Sequence, residues 1–248
     1  MYQFFAEKNQ INGTDITITG EDVNHIKNVL RMKIGEELSV VTDGEELEYR
    51  CEIAAFEENK VRCRLRFIKE EGVELPNRIC LFQGLPKNDK MELIVQKAVE
   101  LGACEVIPVQ TKRTVIKLDA KKEQTRITRW NAIAEAAAKQ AKRRVIPQVK
   151  PVMTMKEAVD YCKEFEAKFI PYELSDKNDM DSTRALFKQI RPKQRIAVFI
   201  GPEGGFDESE ISLAIENGLI PITLGRRILR TETAGFTVLA WLVYELEK

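Results

Sequence analysis

Apolar and polar positions follow two different rhythms along this chain, and the change between them falls near residue 72. Up to that point ITITG (16–20), ELSVVTDG (37–44), EYRCEIAAF (48–56) and KVRCRLRF (60–67) are short β-branched or alternating runs. Turns at Asp43-Gly44 and Glu58-Asn59 separate them, which predicts a small barrel or sandwich. Between the first two runs, EDVNHIKNVLRM sets Val23, Ile26 and Leu30 on one helical face, leaves His25 and Arg31 off it, and closes at Gly35. In the last run Val61, Cys63, Leu65 and Phe67 alternate with Arg62, Arg64 and Arg66, so a period of two puts three guanidiniums on one exposed face. Such a face either meets a polyanion or guards a solvated edge strand.

EEGVELP, with Gly72 and Pro76, reads as a linker, and beyond it strands and helices alternate. The strand ICLFQGL (79–85) leads into a helix with Met91, Ile94, Val95, Ala98 and Leu101 at helical spacing, ended by Gly102 and followed by the strand EVIPVQ. An alanine-rich helix around Trp130 to Gln140, a helix opened by the capping pair Thr154 and Glu157, the strand KFIPYE and the helix DSTRALFKQI come next. The strand RIAVFIG, a helix over 207–217, the strand LIPITLG and a final helix to Lys248 complete the series. Alternation of this kind predicts a mainly parallel sheet covered by helices, hence an α/β domain over 73–248 after a small β domain over 1–72. The last helix, with Phe236, Val238, Leu239, Trp241, Leu242, Val243, Tyr244 and Leu246, has almost no polar face and is expected to be buried all round. Its second cover is a partner subunit in a homodimer, or else it is wedged between the sheet and the N-terminal domain.

Composition narrows the picture. At 248 residues the chain can bury a core without disulfides or metals. The longest apolar run, 236–243, is far below the roughly 20 residues that cross a bilayer, and MYQFFAEKN lacks a signal segment, so a soluble, cytoplasmic chain is expected. Five cysteines, odd in number and without CxxC spacing, read as reduced core thiols, and a single histidine, His25, leaves no His-based triad or metal site. The 39 basic and 39 acidic residues balance only overall. Residues 112–150 hold twelve basic side chains against three acidic ones, a local excess of nine that the rest of the chain cancels. That run either binds nucleic acid or forms a solvated helix face.

The chemistry is most legible between Ile196 and Gly235. IAVFI runs straight into GPEGGF, three glycines in five residues, and Asp207 with Glu210 then opens a helix. PITLG also ends a strand in glycine, at Gly225, and leads through RRILRTETAG into the last helix. Ligands of parallel α/β sheets sit beyond the carboxyl ends of the strands, so the two turns either line one pocket or simply pack. Neither a GxxxxGK[ST] nor a correctly placed GxGxxG is present, which disfavours nucleotide triphosphates and dinucleotides. An adenosyl ligand read by backbone groups and flanked by Ile228 and Leu229 is the modest preference that remains.

GPEGGF followed by LGRRILRTETA resembles the paired signature of the SPOUT methyltransferases, specifically the bacterial 16S ribosomal RNA uracil-N3 methyltransferases. The similarity extends to HIKNVLRMKIGE, to QGLPKNDKMELIVQKAVELGACEVIPV and to KQAKRRVIP. It implies a PUA-like RNA-binding β-barrel and an α/β domain tied in a trefoil knot, dimeric, binding S-adenosylmethionine and free of metal. The cofactor residues it implies are Ile200, Gly201, Pro202, Glu203, Gly204 and Gly205 on one turn, and Leu224, Gly225, Ile228, Leu229, Arg230, Thr231, Thr233 and Ala234 on the other. For the reaction, Arg230 would steady charge on the uracil and Glu232, with Glu203, would take the N3 proton, unless these acids cap helix ends or pair with Arg226 and Arg227. For 16S rRNA in the small ribosomal subunit, the implied contacts are His25, Arg31, Arg62, Arg64, Arg66, Gln140 and Arg143. The family pattern of an acidic residue, Gln, then Gly-Arg is departed from at Lys139 and Lys142, while Gln140 and Arg143 align. Ribose 2′-O methylation, a tRNA base, or a non-catalytic role in ribosome assembly are the competing readings.

Overall fold

The computed structural model describes residues 1–45, 47–70, 72–116, 119–172 and 180–247. It divides into two compact units, Met1–Glu74 with Ala138–Ile146, and Leu75–Ala137 with Pro147–Lys248. The segment 138–146 packs with the first unit. Nothing local in an alanine-rich helix marks where its end changes unit. Lys117, Glu173 and Lys248, each part of a sequence expectation above, lie outside the described residues.

In the first unit β1 (Gln3–Phe5), β2 (Ile11–Asn12), β3 (Asp15–Thr19), β4 (Glu37–Val41), β5 (Glu48–Glu57) and β6 (Lys60–Lys69) form one sheet in the order β1-β4-β5-β6-β3-β2. Only the β1/β4 pair is parallel among these described strands. The inward positions Ile16, Ile18, Leu38, Val40, Cys51, Ile53, Val61 and Cys63 are fully buried and close a core with Phe4 and Ile26.

Two expectations fail here for local reasons. Cys51 faces Leu65 but Arg50 faces Phe67, so Arg66 is an extra residue in β6 and the in/out order reverses beyond it. Phe67, read as inward, is 59% exposed. The helix expected over 21–32 is instead one turn, α1 (Glu21–Asn24), continued by a widened turn, His25–Val29. There Leu30 N–H bonds the His25 carbonyl five residues back at 2.9 Å, and Leu30, half-buried, still packs against the core that holds Val23 and Ile26. The chain leaves the turn at Arg31 with φ of 54°.

The second unit is a wholly parallel sheet. Its strands are β7 (Arg78–Gly84), β8 (Ala103–Gln110), β9 (Gln148–Val149), β10 (Met153–Thr154), β11 (Ala167–Pro171), β12 (Arg195–Ile200) and β13 (Ile220–Ile222). They run β10-β8-β7-β12-β11-β13, with β9 beside β8. The helices are α2 (Lys90–Glu100), α3 (Ala120–Gln140), α4 (Met155–Tyr161), α5 (Met180–Lys188), α6 (Glu208–Glu216) and α7 (Thr231–Leu246). The stretches Ile79–Phe82 of β7 and Ile196–Ile200 of β12 are apolar and buried, as in a sheet covered on both faces, and Phe82 and Phe199, paired in register, stack at 4.3 Å between centroids. Both sequence-marked capping boxes form, Thr154 with Glu157 at α4 and Asp207 with Glu210 at α6.

Within one chain the final helix is covered on one side only. Val238, Leu239, Leu242 and Leu246 are buried, but Ala240 is exposed, Phe236 and Trp241 are half-covered and Tyr244 is 86% exposed. Burial all round is not reached within one chain. No described helix is long and apolar enough to cross a membrane.

Candidate functional site

Beyond the carboxyl ends of β11, β12 and β13 lies a cleft of about 650 Å³. Its walls are the two glycine turns. The turn after β12 contributes Ile200, Gly201, Pro202, Glu203, Gly205 and Phe206, and the segment after β13 contributes Thr223, Leu224, Gly225, Arg227, Ile228, Leu229, Arg230, Thr231 and Ala234. Gly205 and Gly225 have φ of 68° and 94°, the left-handed backbone that lets each strand turn back over the sheet edge. Of the residues expected here, Gly204 and Thr233 do not line the cleft. Gly204 turns outward, its carbonyl accepting from Arg113 Nη1 at 3.1 Å, and Thr233 is exposed on α7.

A buried relay joins the two turns. Thr231 Oγ1 donates to the Gly201 carbonyl at 2.6 Å and accepts from Gln83 Nε2 at 2.8 Å, while Gln83 Nε2 also donates to the Gly84 carbonyl at 2.9 Å. The first residue of α7 is thereby held to the ends of β7 and β12. No local pattern marks Gln83, because the side chain it meets, Thr231, stands 148 residues along the chain.

The other residue the sequence did not mark is Lys90, at the start of α2 and on the cleft wall. Its Nζ lies 3.2 Å from Glu232 Oε2 and 3.3 Å from Glu203 Oε1. Both acids are thus spent on Lys90 rather than on Arg226 or Arg227. The hydrogen bond to Glu232, then those to Glu203, outweigh partial desolvation and hold the Lys90 ammonium above its ordinary range. Burial pushes the Glu203 carboxyl up, but backbone N–H donors, that of Lys87 at 3.1 Å among them, and Lys90 outweigh it and hold the group below its ordinary range. Glu232 sits in the first turn of α7, 14% exposed, and Arg230 is exposed one residue before that helix.

Size and chemistry fit an adenosyl ligand. The volume is in the range of small-molecule sites, and Ile200, Ile222, Leu224, Ile228, Leu229 and Ala234 make the wall largely apolar. Among the described residues, the backbone N–H groups of Leu224 and Leu229 have no partner within the protein, so each is available to an acceptor on a flat heterocycle. Ile228 is 93% exposed and meets the cleft from its rim rather than flanking a ring from within.

The basic positions separate into two sets. Arg62, Arg64, Arg66, His25, Arg31 and Gln140 are all exposed on the first unit. Arg143 is not; it is 4% exposed, with Nη2 2.6 Å and Nε 3.1 Å from Glu74 Oε2. A guanidinium held there cannot reach a surface ligand, so the expectation for Arg143 is corrected to a structural ion pair. Arg144, 3% exposed, pairs with Glu48 at 3.6 Å. The local charge excess of 112–150 is largely answered by distant acids in the same way. Lys112 and Arg113 meet Asp207, Arg129 meets Glu92, Lys139 meets Asp22 and Lys150 meets Glu105. Lys121, Arg126 and Lys142 have no ion pair among the described residues.

A family model described as an RNA methyltransferase domain matches residues 73–243. The ribosomal RNA small subunit methyltransferase E of Bacillus subtilis (strain 168) is 36% identical over 251 residues, covering 100% of this chain and 98% of that relative. The chain belongs to the ribosomal RNA small subunit methyltransferase E family. A second model, an RNA methyltransferase PUA domain, matches residues 18–66, within the first unit. The methyltransferase E of Mesomycoplasma hyopneumoniae (strain 232) is 33% identical over 239 residues, 96% of this chain and 97% of its own length. Among solved structures, the methyltransferase E of Neisseria gonorrhoeae, described as bound to S-adenosyl methionine, superposes with a TM-score of 0.82 at 30% identity, covering 98% of this chain and 96% of that one. The family resemblance carried by GPEGGF and LGRRILRTETA is therefore met over the whole methyltransferase E chain.

Proposed function

We propose that this chain transfers a methyl group from S-adenosylmethionine to N3 of a uridine in 16S rRNA of the small ribosomal subunit. The observation that carries the reading is the cleft at the carboxyl edge of the sheet, where two glycine turns, free backbone N–H groups and the Lys90–Glu232–Glu203 cluster stand together. When bound, S-adenosylmethionine supplies an electrophilic methyl group on a sulfonium. Leu224 and Leu229 N–H groups read its base, and the Gly201 and Gly225 turns allow backbone to approach its sugar.

Uracil N3 must lose its proton to become a nucleophile, and the resulting charge spreads onto the flanking carbonyl oxygens. Glu232 accepts that proton, and Arg230 with Lys90 offsets the charge left behind. N3 lies on the Watson–Crick edge, so the target base is unpaired or flipped when it reacts. Exposed Arg62, Arg64, Arg66, His25, Arg31 and Gln140 hold surrounding phosphates and bases.

Nucleoside mass spectrometry of small-subunit RNA after incubation with the protein and S-adenosylmethionine tests this reading. 3-Methyluridine is the expected product; a ribose-methylated nucleoside, or no methylation, overturns it. Glu232→Gln is expected to lower turnover by about a hundredfold or more, with cofactor affinity by calorimetry changed less than about twofold. Unchanged turnover would remove Glu232 from the chemistry.

Phe236, Ala240 and Tyr244 recur every four residues on α7 and form an apolar stripe outside the buried face. This stripe supports a homodimer in which α7 contributes to the interface. Sedimentation velocity at micromolar concentration is expected to give twice the mass of the chain, and a monomer at that concentration overturns the dimer.

A further inference from the structure

At the edge of the parallel sheet opposite the cleft, where β7 and β8 begin, two cysteines meet. Cys80 Sγ is 3.8 Å from Cys104 Sγ and 3.6 Å from Glu105 Oε2. Neither thiol is used by the proposed methyl transfer. We propose that Cys104 and Cys80 form a peroxide-reactive dithiol, with Cys104 as the attacking sulfur and Cys80 as the resolving one.

The geometry separates their roles. Cys104 is partly buried at the second position of β8, whereas Cys80 is 1% exposed inside β7. The ladder between the strands shifts register here, with Ile79 opposite Ala103 and Cys80 opposite Glu105, so Cys104 is the extra residue that bulges toward its neighbour. Adjacent strands lie about 4.8 Å apart, in the range of Cα separations that disulfides span, and the two sulfurs already stand 3.8 Å from each other.

The surrounding charges favour the same assignment. The hydrogen bond from Cys80, and after it the Arg78 guanidinium, lower the Cys104 thiol below its ordinary range against the effect of burial. The Cys80 thiol is driven up by its bond to Cys104, by burial and by the Glu105 carboxylate. Glu105 is itself fixed by the Tyr161 hydroxyl, which donates to Oε2 at 2.7 Å, and by Lys150 3.6 Å from Oε1. Arg195 completes the set of charged groups facing the pair.

Attack of the Cys104 thiolate on the O–O bond of hydrogen peroxide forms a sulfenic acid and releases hydroxide. The Cys80 proton then passes to Glu105, and the Cys80 sulfur attacks Cys104. The S–O bond breaks, hydroxide leaves and takes the proton from Glu105 as water, and one disulfide remains. Per disulfide, one peroxide is reduced and two thiol sulfurs are oxidised.

The protein carries its own control. Cys51 and Cys63 also sit on adjacent strands, but burial pushes both thiols up to about 12, and they should stay reduced. The test treats the full chain with equimolar hydrogen peroxide at neutral pH and maps peptides without reduction. A Cys80–Cys104 link is expected in the wild type. Cys80→Ser should stop at a sulfenic acid on Cys104 that dimedone traps. Cys104→Ser should form no link and lose the thiol that alkylates about tenfold faster than the rest. Circular dichroism and thermal unfolding establish that each variant is folded before it is scored. Five intact thiols in peroxide-treated wild type, a link between another pair, or a dimedone adduct on Cys80 in folded Cys104→Ser overturns the proposal.

Discussion

Gly84→Ala should collapse cofactor binding in a chain that still folds. Gly84 ends β7, and a Cβ there would stand 2.5 Å from Pro202 Cδ and 2.6 Å from Pro202 N, with the Gly201 carbonyl carbon at 3.0 Å. Those are backbone and ring atoms of the turn that walls the cleft, so no flexible side chain can move aside. The methyl forces the 201–205 turn away from β7 and stretches the bonds from Gln83 to Thr231 and from Thr231 to Gly201. Overpacking of this severity costs about 3 kcal/mol, to be read from the urea midpoint. The larger effect is on the cleft: S-adenosylmethionine affinity by calorimetry is expected to fall at least about tenfold, since roughly 1.4 kcal/mol of distortion suffices. Affinity equal to wild type would mean that the turn is not part of the binding wall.

Arg143→Ala should act on stability and leave RNA affinity alone. The Arg143 guanidinium holds Glu74, whose carboxylate also accepts from the backbone N–H groups of Arg144 at 2.9 Å and Val145 at 3.3 Å. Removing one partner of a buried pair leaves a charge without its counterion and a cavity beside it, about 3 kcal/mol, at the low end of the usual range because Glu74 keeps 27% of its side-chain surface in water. Arg64→Ala is the converse, an exposed arginine whose loss should weaken RNA binding and leave the unfolding midpoint within about 0.5 kcal/mol. Denaturant titration and RNA binding, measured on both variants at one salt concentration, separate the two roles. A stable Arg143→Ala chain with weakened RNA binding would return Arg143 to the surface set.

The contrast between these arginines shows which kinds of feature are legible along a chain. The charge run at 112–150 invites a reading as one basic surface because its members are neighbours in sequence. Folding gives Arg143 to Glu74 and Arg144 to Glu48, each partner more than sixty residues away, and long-range ion pairs leave no local pattern. Lys90 is invisible for the same reason. It lies in a stretch that reads only as an amphipathic helix start, and its meaning comes from Glu203 and Glu232, brought to it by two other strands and a helix. Phe67 shows a different failure: period-two alternation carries through a strand only while the register holds, and one extra residue at Arg66 reverses every side chain beyond it.

Features whose cause lies within a few residues could be read directly from the amino acids. Buried strands came from continuous β-branched runs, the starts of α4 and α6 from capping pairs three residues apart, and the two turns of the cleft from glycines that permit backbone no other residue takes at low cost. Features that depend on which elements become neighbours could not. The Gln83–Thr231–Gly201 relay, the Lys90 cluster, the burial of Arg143 and the Cys80–Cys104 contact each join groups that only sheet order brings within bonding distance. Hydrogen bonds and ion pairs act over a few ångströms of space, whatever the separation along the chain, and that is why the second set had to wait for the fold.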